Sequence, residues 1–326
     1  MRPRGLSATV VLLILLCMAS CQKETDDRFS VALVTPGTSD DRGWNAGAHD
    51  GLILIGSELE ARIAHQVAAD SQRQKEAFVD FAEEGYELVF GHGYEFQAHA
   101  LEICKKYPDT IFISTSGDQS GPNFAPIRFR IEEATYLLGY LGARLSKSGQ
   151  IAAVGGLSIP SIESSFKAYA AGAKAAREDI RVTTSYVGSF DDISSAREST
   201  LALLESGCDI IFQNANQAGL GVFKAVQEHG QGARAFGSNV DQTDVAPKVI
   251  LASAVLGIPE ALLQVARDVR DGQFKPEPRE LDLTGGIVSV AFNPALEGEI
   301  SPQLRSDFED LRKRILSGEV KVPSGF

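Results

Sequence analysis

The stretch FSVALVTPGTSDDRGWN, residues 29–45, joins an apolar run to a polar turn and decides how the chain folds. Its first part, Phe29 to Val34, has the length and composition of a buried strand. A helical pattern from Ala46 to Leu59 follows the turn, so the stretch predicts the opening βα unit of an α/β sheet. Ligands of such sheets bind beyond the carboxyl ends of the strands, which makes this turn a candidate binding edge.

The turn contains Trp44, the single tryptophan of the chain, close to Asp41 and Asn45. The indole offers a large π face, and the carboxylate and amide can hydrogen-bond a flat polar ligand. A tryptophan near a helix start can also pack against its own domain. The turn alone therefore leaves both roles of Trp44 open.

The amino terminus has the pattern of an exported precursor. Two arginines precede an apolar run from Ala8 to Met18, which at about eleven residues is shorter than the roughly 20 that a spanning helix needs. Small residues then precede Cys21, an arrangement that resembles the bacterial lipoprotein box. We interpret residues 1–20 as a signal peptide and residues 21–28 as a tether lipidated at Cys21. This predicts a location in the cell envelope, anchored on the extracytoplasmic (periplasmic or outer) face of the membrane.

Length and charge limit what the mature chain can be. With 326 residues the chain is long enough for two lobes with separate cores. Its formal net charge of −12, without a basic stripe, argues against a nucleic-acid partner. Cys104 and Cys208 fall in different predicted lobes, so we expect two buried free thiols rather than a disulfide.

Apolar runs of strand length alternate with helical patterns along the chain, which predicts parallel sheets covered by helices. The rhythm breaks near Ser146 to Gly149 and then starts again, so we predict two α/β lobes. The last segments complete neither lobe, which indicates that the chain crosses between the lobes more than once. The predicted N-terminal lobe comprises residues 29–146 and 253–280, and the predicted C-terminal lobe comprises residues 147–252 and 281–326.

Several predicted strands end in turns with polar and aromatic side chains, as expected for a cleft between two lobes. Phe190 lies on such a turn of the second lobe and could face Trp44 across the cleft. Two aromatic rings would clamp a planar ligand, and each stacked pair adds about 0.5–1.5 kcal/mol. Asp118 can equally be a solvated turn residue, and Asp191 or Asp192 suits a helix N-cap. The other candidates at strand ends are Tyr94, Asn216, Asn239 and Asp241.

The chain lacks the motifs of an enzyme or a metalloprotein. The five histidines have no metal-binding spacing, so they are interpreted as surface or packing residues. The glycines of Gly91 to Gly93 are not accompanied by a G-x-G-x-x-G pattern or a Walker lysine, and no G-x-S-x-G elbow occurs. We therefore expect no catalytic residue, no metal and no cofactor.

With these loops the chain resembles the basic membrane protein family of ABC-transporter solute-binding lipoproteins, which includes purine nucleoside receptors. The similarity covers nearly the whole mature chain. Its marks are the segments Asp41-Arg42-Gly43-Trp44-Asn45, Gly91-His92-Gly93-Tyr94, Tyr107-Pro108-Asp109, Gly188-Ser189-Phe190-Asp191-Asp192, Ala218-Gly219-Leu220-Gly221 and Asp241-Gln242.

The resemblance implies a type I periplasmic-binding-protein fold, in which two doubly wound parallel-sheet lobes are joined by a three-crossing hinge. It also implies a monomer that works with an ABC permease. In nucleoside-binding members two aromatics sandwich the base, which corresponds here to Trp44 and Phe190. The base-edge partners correspond to Asn45 and Asp118.

This chain departs from the family pattern where those members bind ribose. Asn239 replaces an acid, and Leu256 stands where a lysine is expected. Charged hydrogen bonds to sugar hydroxyls contribute roughly 1.5–3 kcal/mol each, so losing both weakens the case for a ribose. The sequence predicts a receptor for a purine-like solute, either a nucleoside or a nucleobase. The alternatives are a receptor for another small molecule, or a sensor or surface protein that signals to a membrane partner.

Overall fold

The computed structural model describes residues 26–324, so the predicted signal peptide and Cys21 lie outside the described residues. Within that part of the chain, no helix combines the length and the apolar character that a membrane crossing requires. Strands and helices alternate as the sequence pattern predicts. The strands are β1 (Ser30–Thr35), β2 (Arg62–Val67), β3 (Leu88–Gly91), β4 (Ile111–Ser114), β5 (Phe124–Phe129), β6 (Gln150–Gly155), β7 (Arg181–Tyr186), β8 (Ile210–Asn214), β9 (Arg234–Asn239), β10 (Ile250–Leu256), β11 (Arg279–Leu281) and β12 (Val288–Phe292).

The helices cover both sheets. They are α1 (Trp44–Leu59), α2 (Ser71–Glu83), α3 (Phe96–Ile103), α4 (Ile131–Leu145), α5 (Pro160–Ala176), α6 (Ile193–Glu205), α7 (Gly219–His229), α8 (Ile258–Arg270) and α9 (Pro302–Leu316). Local sequence sets several helix starts. Asp70 and Ser301 each accept a hydrogen bond from a backbone N–H in the first turn of the helix that follows.

Strands β1 to β5 and β11 form the first sheet, in the order β11-β5-β4-β3-β1-β2, and all its paired strands are parallel. Strand β1, which lies between β3 and β2, is fully buried along its length, as the apolar run predicts. The second sheet has the order β12-β10-β9-β8-β6-β7, and β12 is antiparallel to β10. The fold is therefore the predicted two-lobed α/β architecture of periplasmic binding proteins, with one antiparallel edge strand.

The predicted lobe boundaries differ from the observed sheets at three places, of which the smallest is Leu281, the last residue of β11 in the first sheet. Helix α4, assigned to the first lobe by its position in the sequence, packs against α5 and β10 of the second. Strand β10, which the boundary at residue 253 would divide, lies wholly in the second sheet beside β9. Periodicity identifies a helix or a strand but not the sheet that it joins, so neither assignment could be read from spacing.

Close packing explains why α4 belongs to the second lobe. A Cβ on Gly139 would lie 1.9 Å from the carbonyl oxygen of Tyr169 in α5, and a Cβ on Gly172 would lie 1.9 Å from the carbonyl oxygen of Tyr136. Glycine on both helices is what allows the backbones to approach this closely. Within the described residues the chain passes between the lobes three times, after β5, after β10 and after β11.

The two cysteines of the described chain are buried and free, as predicted. Cys104 lies in an apolar cluster of the first lobe and Cys208 in a cluster of the second. Burial raises the pKa of the Cys208 thiol.

Candidate functional site

The predicted site residues lie on turns that follow the carboxyl ends of β1, β3 and β4 in the first lobe and of β7, β8 and β9 in the second. The two sets of turns meet, because the β1 turn contacts the β8 and β9 turns through hydrogen bonds. The candidate site is therefore the region between the lobes, at the edge that the first βα unit predicts.

Asp41 organises the start of helix α1. It is only 2% exposed, and its carboxylate accepts hydrogen bonds from the backbone N–H groups of Gly43, Asn45 and Ala46 at 2.7–3.0 Å. These donors belong to the first turn of the helix, where no intrahelical acceptor exists. The Asp41 carboxylate, which the sequence predicts to contact a ligand, therefore accepts hydrogen bonds from backbone N–H groups.

The Trp44 ring is held against the first lobe. His92 stacks on it, with ring centroids 4.0 Å apart and an interplanar angle of 24°. Phe129 makes an edge contact, with centroids 6.3 Å apart and an angle of 82°. The side chain is half-buried, so part of the indole stays accessible. The structure therefore shows the packing role of Trp44, and its ligand-binding role stays a prediction.

His92 is fully buried and bonded at both ring nitrogens. Its Nε2 lies 2.8 Å from the Trp44 carbonyl oxygen, and its Nδ1 lies 2.8 Å from the Thr115 hydroxyl. A carbonyl only accepts, so Nε2 carries the proton and Nδ1 accepts from the hydroxyl. Burial lowers the pKa of His92 to about 3, and the ring is neutral at physiological pH.

Asn45 provides an unsatisfied polar atom beside Trp44. The residue is 3% exposed, yet its side-chain oxygen Oδ1 has no hydrogen-bond partner among the described residues. A buried amide oxygen without a donor costs roughly 1–3 kcal/mol. An orphaned acceptor of this kind is suited to a donor group that arrives with a ligand.

Three contacts join the β1 turn to the second lobe. The Trp44 backbone N–H donates to Asn216 Oδ1 at 3.3 Å, and Gln242 Nε2 donates to the Arg42 carbonyl oxygen at 3.2 Å. The Arg42 guanidinium also pairs with Asp244 at 3.2 Å, but both side chains are largely exposed. The exposed pair contributes at most about 1 kcal/mol, so the two partly buried hydrogen bonds are the stronger link.

A buried amide network supports this contact from inside the second lobe. Gln242 Oε1 accepts from the Ser238 backbone N–H at 3.0 Å and from Gln213 Nε2 at 2.6 Å. Gln213 and Gln242 are 0% and 2% exposed, so the bonds fix both side chains. The carboxamide of Gln242 therefore reaches Arg42 from a rigid base.

Phe190 lies on the turn between β7 and α6, as predicted. Its ring lies directly over Gly156, where a Cβ would approach to 2.2 Å, so the ring occupies the place of a missing side chain. Its carbonyl oxygen accepts from the Ala218 N–H at 2.8 Å. The ring is half-buried. Asp192 caps helix α6 through the Ser195 N–H at 2.9 Å, which confirms the predicted N-cap.

The remaining candidates differ in burial. Asp118 is exposed and accepts from Gln97 Nε2 at 3.2 Å, whereas Tyr94 is half-buried on the β3 turn. Asn239 ends strand β9 with a positive φ of 70° and is 7% exposed. Asp241 is exposed and accepts from the Thr243 N–H at 3.0 Å. Within residues 26–324, no three His, Cys, Asp or Glu side chains are grouped to hold a metal ion.

Comparison with known proteins shows which family the chain belongs to. The family model described as "Bmp: ABC transporter substrate-binding protein PnrA-like" matches residues 29–325 of the 326 residues. The chain belongs to this family. Membership in the Bmp family makes it a solute-binding protein of an ABC transporter rather than an enzyme, with a ligand and a transporter as partners and a place outside the cytoplasm.

Individual relatives agree with the Bmp assignment. Basic membrane protein A of Borreliella burgdorferi is 27% identical over 300 residues, which cover 90% of this chain and 87% of the relative. Basic membrane protein D of B. burgdorferi is 26% identical over 323 residues, which cover 95% and 93%. A solved ABC-transporter solute-binding protein from Aeropyrum pernix K1 superposes with a TM-score of 0.84 at 21% identity, covering 90% of this chain and 94% of that chain. That likeness supports the fold.

Sequence reasoning missed three residues of this Bmp-family site. The interpretation of His92 as a surface or packing residue is confirmed, but the sequence did not show that the ring on which it packs is Trp44. Gln97 holds the Asp118 turn by accepting from the N–H groups of Asp118 and Gln119. Gln242 links the lobes. His92 and Gln242 lie in segments that carry the family resemblance, Gly91-His92-Gly93-Tyr94 and Asp241-Gln242. A sequence segment does not show what its side chains contact.

Proposed function

We propose that this Bmp-family protein is a lipid-anchored receptor that captures a planar, purine-like solute between Trp44 and Phe190 and delivers it to an ABC permease. The observation that carries the proposal is the pairing of a stacked, half-buried indole with the unpartnered Asn45 Oδ1 next to it. A purine offers a flat π face to the indole and N–H groups to the amide oxygen.

The second lobe supports a two-sided clamp. Phe190 lies on a strand-end turn of that lobe and is half-buried, as Trp44 is in the first lobe. A ligand that touches both rings binds the closed form more tightly than the open form, and it therefore stabilises closure.

The polar groups available to a sugar are few. Asn239 could bond a hydroxyl, but Leu256, which is 4% exposed at the end of β10, offers only apolar contact. We therefore expect selectivity to depend on the base, so that a nucleobase and its nucleoside bind with affinities within about tenfold of each other.

Titration calorimetry of the purified protein with purine bases, their nucleosides and free ribose tests the proposal. We expect Trp44→Ala and Phe190→Ala each to weaken purine binding at least about tenfold, because each removes one stacking face. Tyr107→Ala is the matched control, since Tyr107 precedes β4 and so lies at the opposite edge of the sheet. Purine binding that Trp44→Ala leaves intact would disprove the clamp, and a bound non-purine would disprove the ligand class.

A further inference from the structure

We propose that His92 is a positioning residue for the Trp44 ring, so that a planar ligand can stack on one face of the indole only. The role of the ligand in this inference rests on the proposed function, whereas the effect on Trp44 does not. One indole face is covered by the imidazole at 4.0 Å, and the Phe129 ring stands at 82° to the indole with ring centroids 6.3 Å apart. The face opposite His92 is the one left for a ligand.

The imidazole is itself immobilised by the three central strands of the first sheet. The His92 backbone N–H donates to the Val34 carbonyl at the end of β1, at 2.8 Å. The Thr115 hydroxyl, directly after β4, donates to Nδ1, and His92 follows β3. Strands β1, β3 and β4 are neighbours in the sheet, so the ring is fixed to a rigid base.

His92 holds Trp44 by two separate contacts. The Nε2–H group donates to the Trp44 carbonyl oxygen at 2.8 Å, which fixes the backbone, and the ring stacks on the indole, which fixes the side-chain rotamer. That carbonyl belongs to the first residue of α1, so the helix start and the ring are set together. Burial keeps the imidazole neutral, and no charge is placed behind the stacking face.

Three variants separate the two contacts. His92→Phe keeps a ring for stacking and loses both hydrogen bonds. His92→Gln keeps a donor for the Trp44 carbonyl and loses the ring. His92→Ala loses the ring and the donor. Thr115→Val frees Nδ1 and leaves His92 in place, which provides a milder variant if His92→Ala does not fold. His99→Phe is the matched control, because it is the same substitution in the same lobe on a histidine that contacts Ser71 instead.

The first readout needs no ligand. Since Trp44 is the sole tryptophan, its fluorescence reports this position alone. We expect His92→Ala to raise acrylamide quenching and the fast component of the anisotropy decay at least about twofold. His92→Phe and His92→Gln should fall between His92→Ala and the wild type, and His99→Phe should match the wild type. Unchanged Trp44 mobility in a folded His92→Ala protein would overturn the proposal.

The second readout is a double-mutant cycle with adenine and adenosine as probes. We expect His92→Ala to weaken binding about three- to tenfold in wild-type background and to have no further effect in the Trp44→Ala background. Additive losses would overturn the positioning role, because His92 would then act independently of Trp44. If mobility rises as expected but neither probe binds, the positioning role stands and the proposed ligand class fails.

Discussion

At the scale of single residues, the candidate site depends on side chains that form hydrogen bonds with backbone groups rather than with a ligand. Asp41 and His92 both bond to main-chain atoms of the turn and helix start that present Trp44 and Asn45. Residues of this kind are difficult to distinguish from ligand contacts in a sequence, because a carboxylate or an imidazole suits either task. Trp44 and Phe190 were predicted as ligand contacts because aromatic rings on strand-end turns can stack on a planar ligand, and that role stays a prediction.

The buried His92 makes stability depend on acidity. Its pKa of about 3 in the folded protein lies below the ordinary value of 6.5, so the unfolded chain binds more protons between those two pH values. The contribution of His92 is fully present above pH 6.5 and is lost as the pH falls toward 3, at up to about 1.4 kcal/mol per pH unit.

His92→Gln removes that titration. We expect its free energy of unfolding, measured by urea denaturation from pH 7.5 to 4, to fall less steeply below pH 6.5 than that of the wild type. His229→Gln in the second lobe is the control for loss of a histidine. Parallel curves for wild type and His92→Gln would mean that His92 does not titrate below its ordinary range.

At the scale of elements, helix α1 is capped from two lobes. Asp41 accepts from the N–H groups of Gly43, Asn45 and Ala46, while the Trp44 N–H donates across the cleft to Asn216. When the cleft opens, the Trp44 N–H would lose the Asn216 acceptor and donate to water instead. The first turn of α1 is therefore complete only when the lobes are in contact.

Removing the acceptor should favour the open form. Asn216 has a φ of 53°, which glycine tolerates, so Asn216→Gly deletes the amide without straining the backbone. A hydrogen bond with a net value of about 0.5–1.5 kcal/mol implies a roughly two- to tenfold rise in the open fraction. Small-angle X-ray scattering of the ligand-free protein should show a larger radius of gyration, which Asn216→Asp, retaining the acceptor, should not. An equal radius for wild type and Asn216→Gly would show that the bond does not hold the lobes.

The elements themselves were largely predictable, and the reason is physical. Phe29 to Val34 was predicted as a buried strand because a short apolar run that ends in a polar turn is typical of one, and the strand extends over Ser30–Thr35. The lobe of α4 was not predictable, since it depends on the mutual fit of Gly139 and Gly172 in space. The His92–Trp44 stack joins residues 48 positions apart, and no local pattern encodes such a contact.

At the scale of the whole molecule, two of the three crossings between the lobes are joined by an ion network. Arg128 and Arg130, around the end of β5, both pair with Glu280 of β11. Glu132 in the first turn of α4 pairs with Arg128 and accepts from the hydroxyls of Ser164 and Ser324. The network therefore includes residues of both lobes and Ser324, the last described residue of the chain.

Glu132 is the member on which this network most depends, because its side chain is only 2% exposed. Glu132→Gln removes a buried charge and breaks the ion pairs of Glu132 with Arg128 and Arg130, so we expect the free energy of unfolding to fall by about 2–4 kcal/mol. Trp44 fluorescence reports the first lobe and far-UV circular dichroism reports both, and the two urea curves should move together because a shared apolar cluster spans the lobes.

Glu309→Gln, which breaks the exposed pair with Arg312 on α9, is the control and should lower the free energy of unfolding by less than about 1 kcal/mol. Equal stabilities for Glu132→Gln and Glu309→Gln would show that the ion network does not stabilise the fold. If the fluorescence and circular dichroism curves of Glu132→Gln separate, the ion network rather than the shared core couples the two lobes.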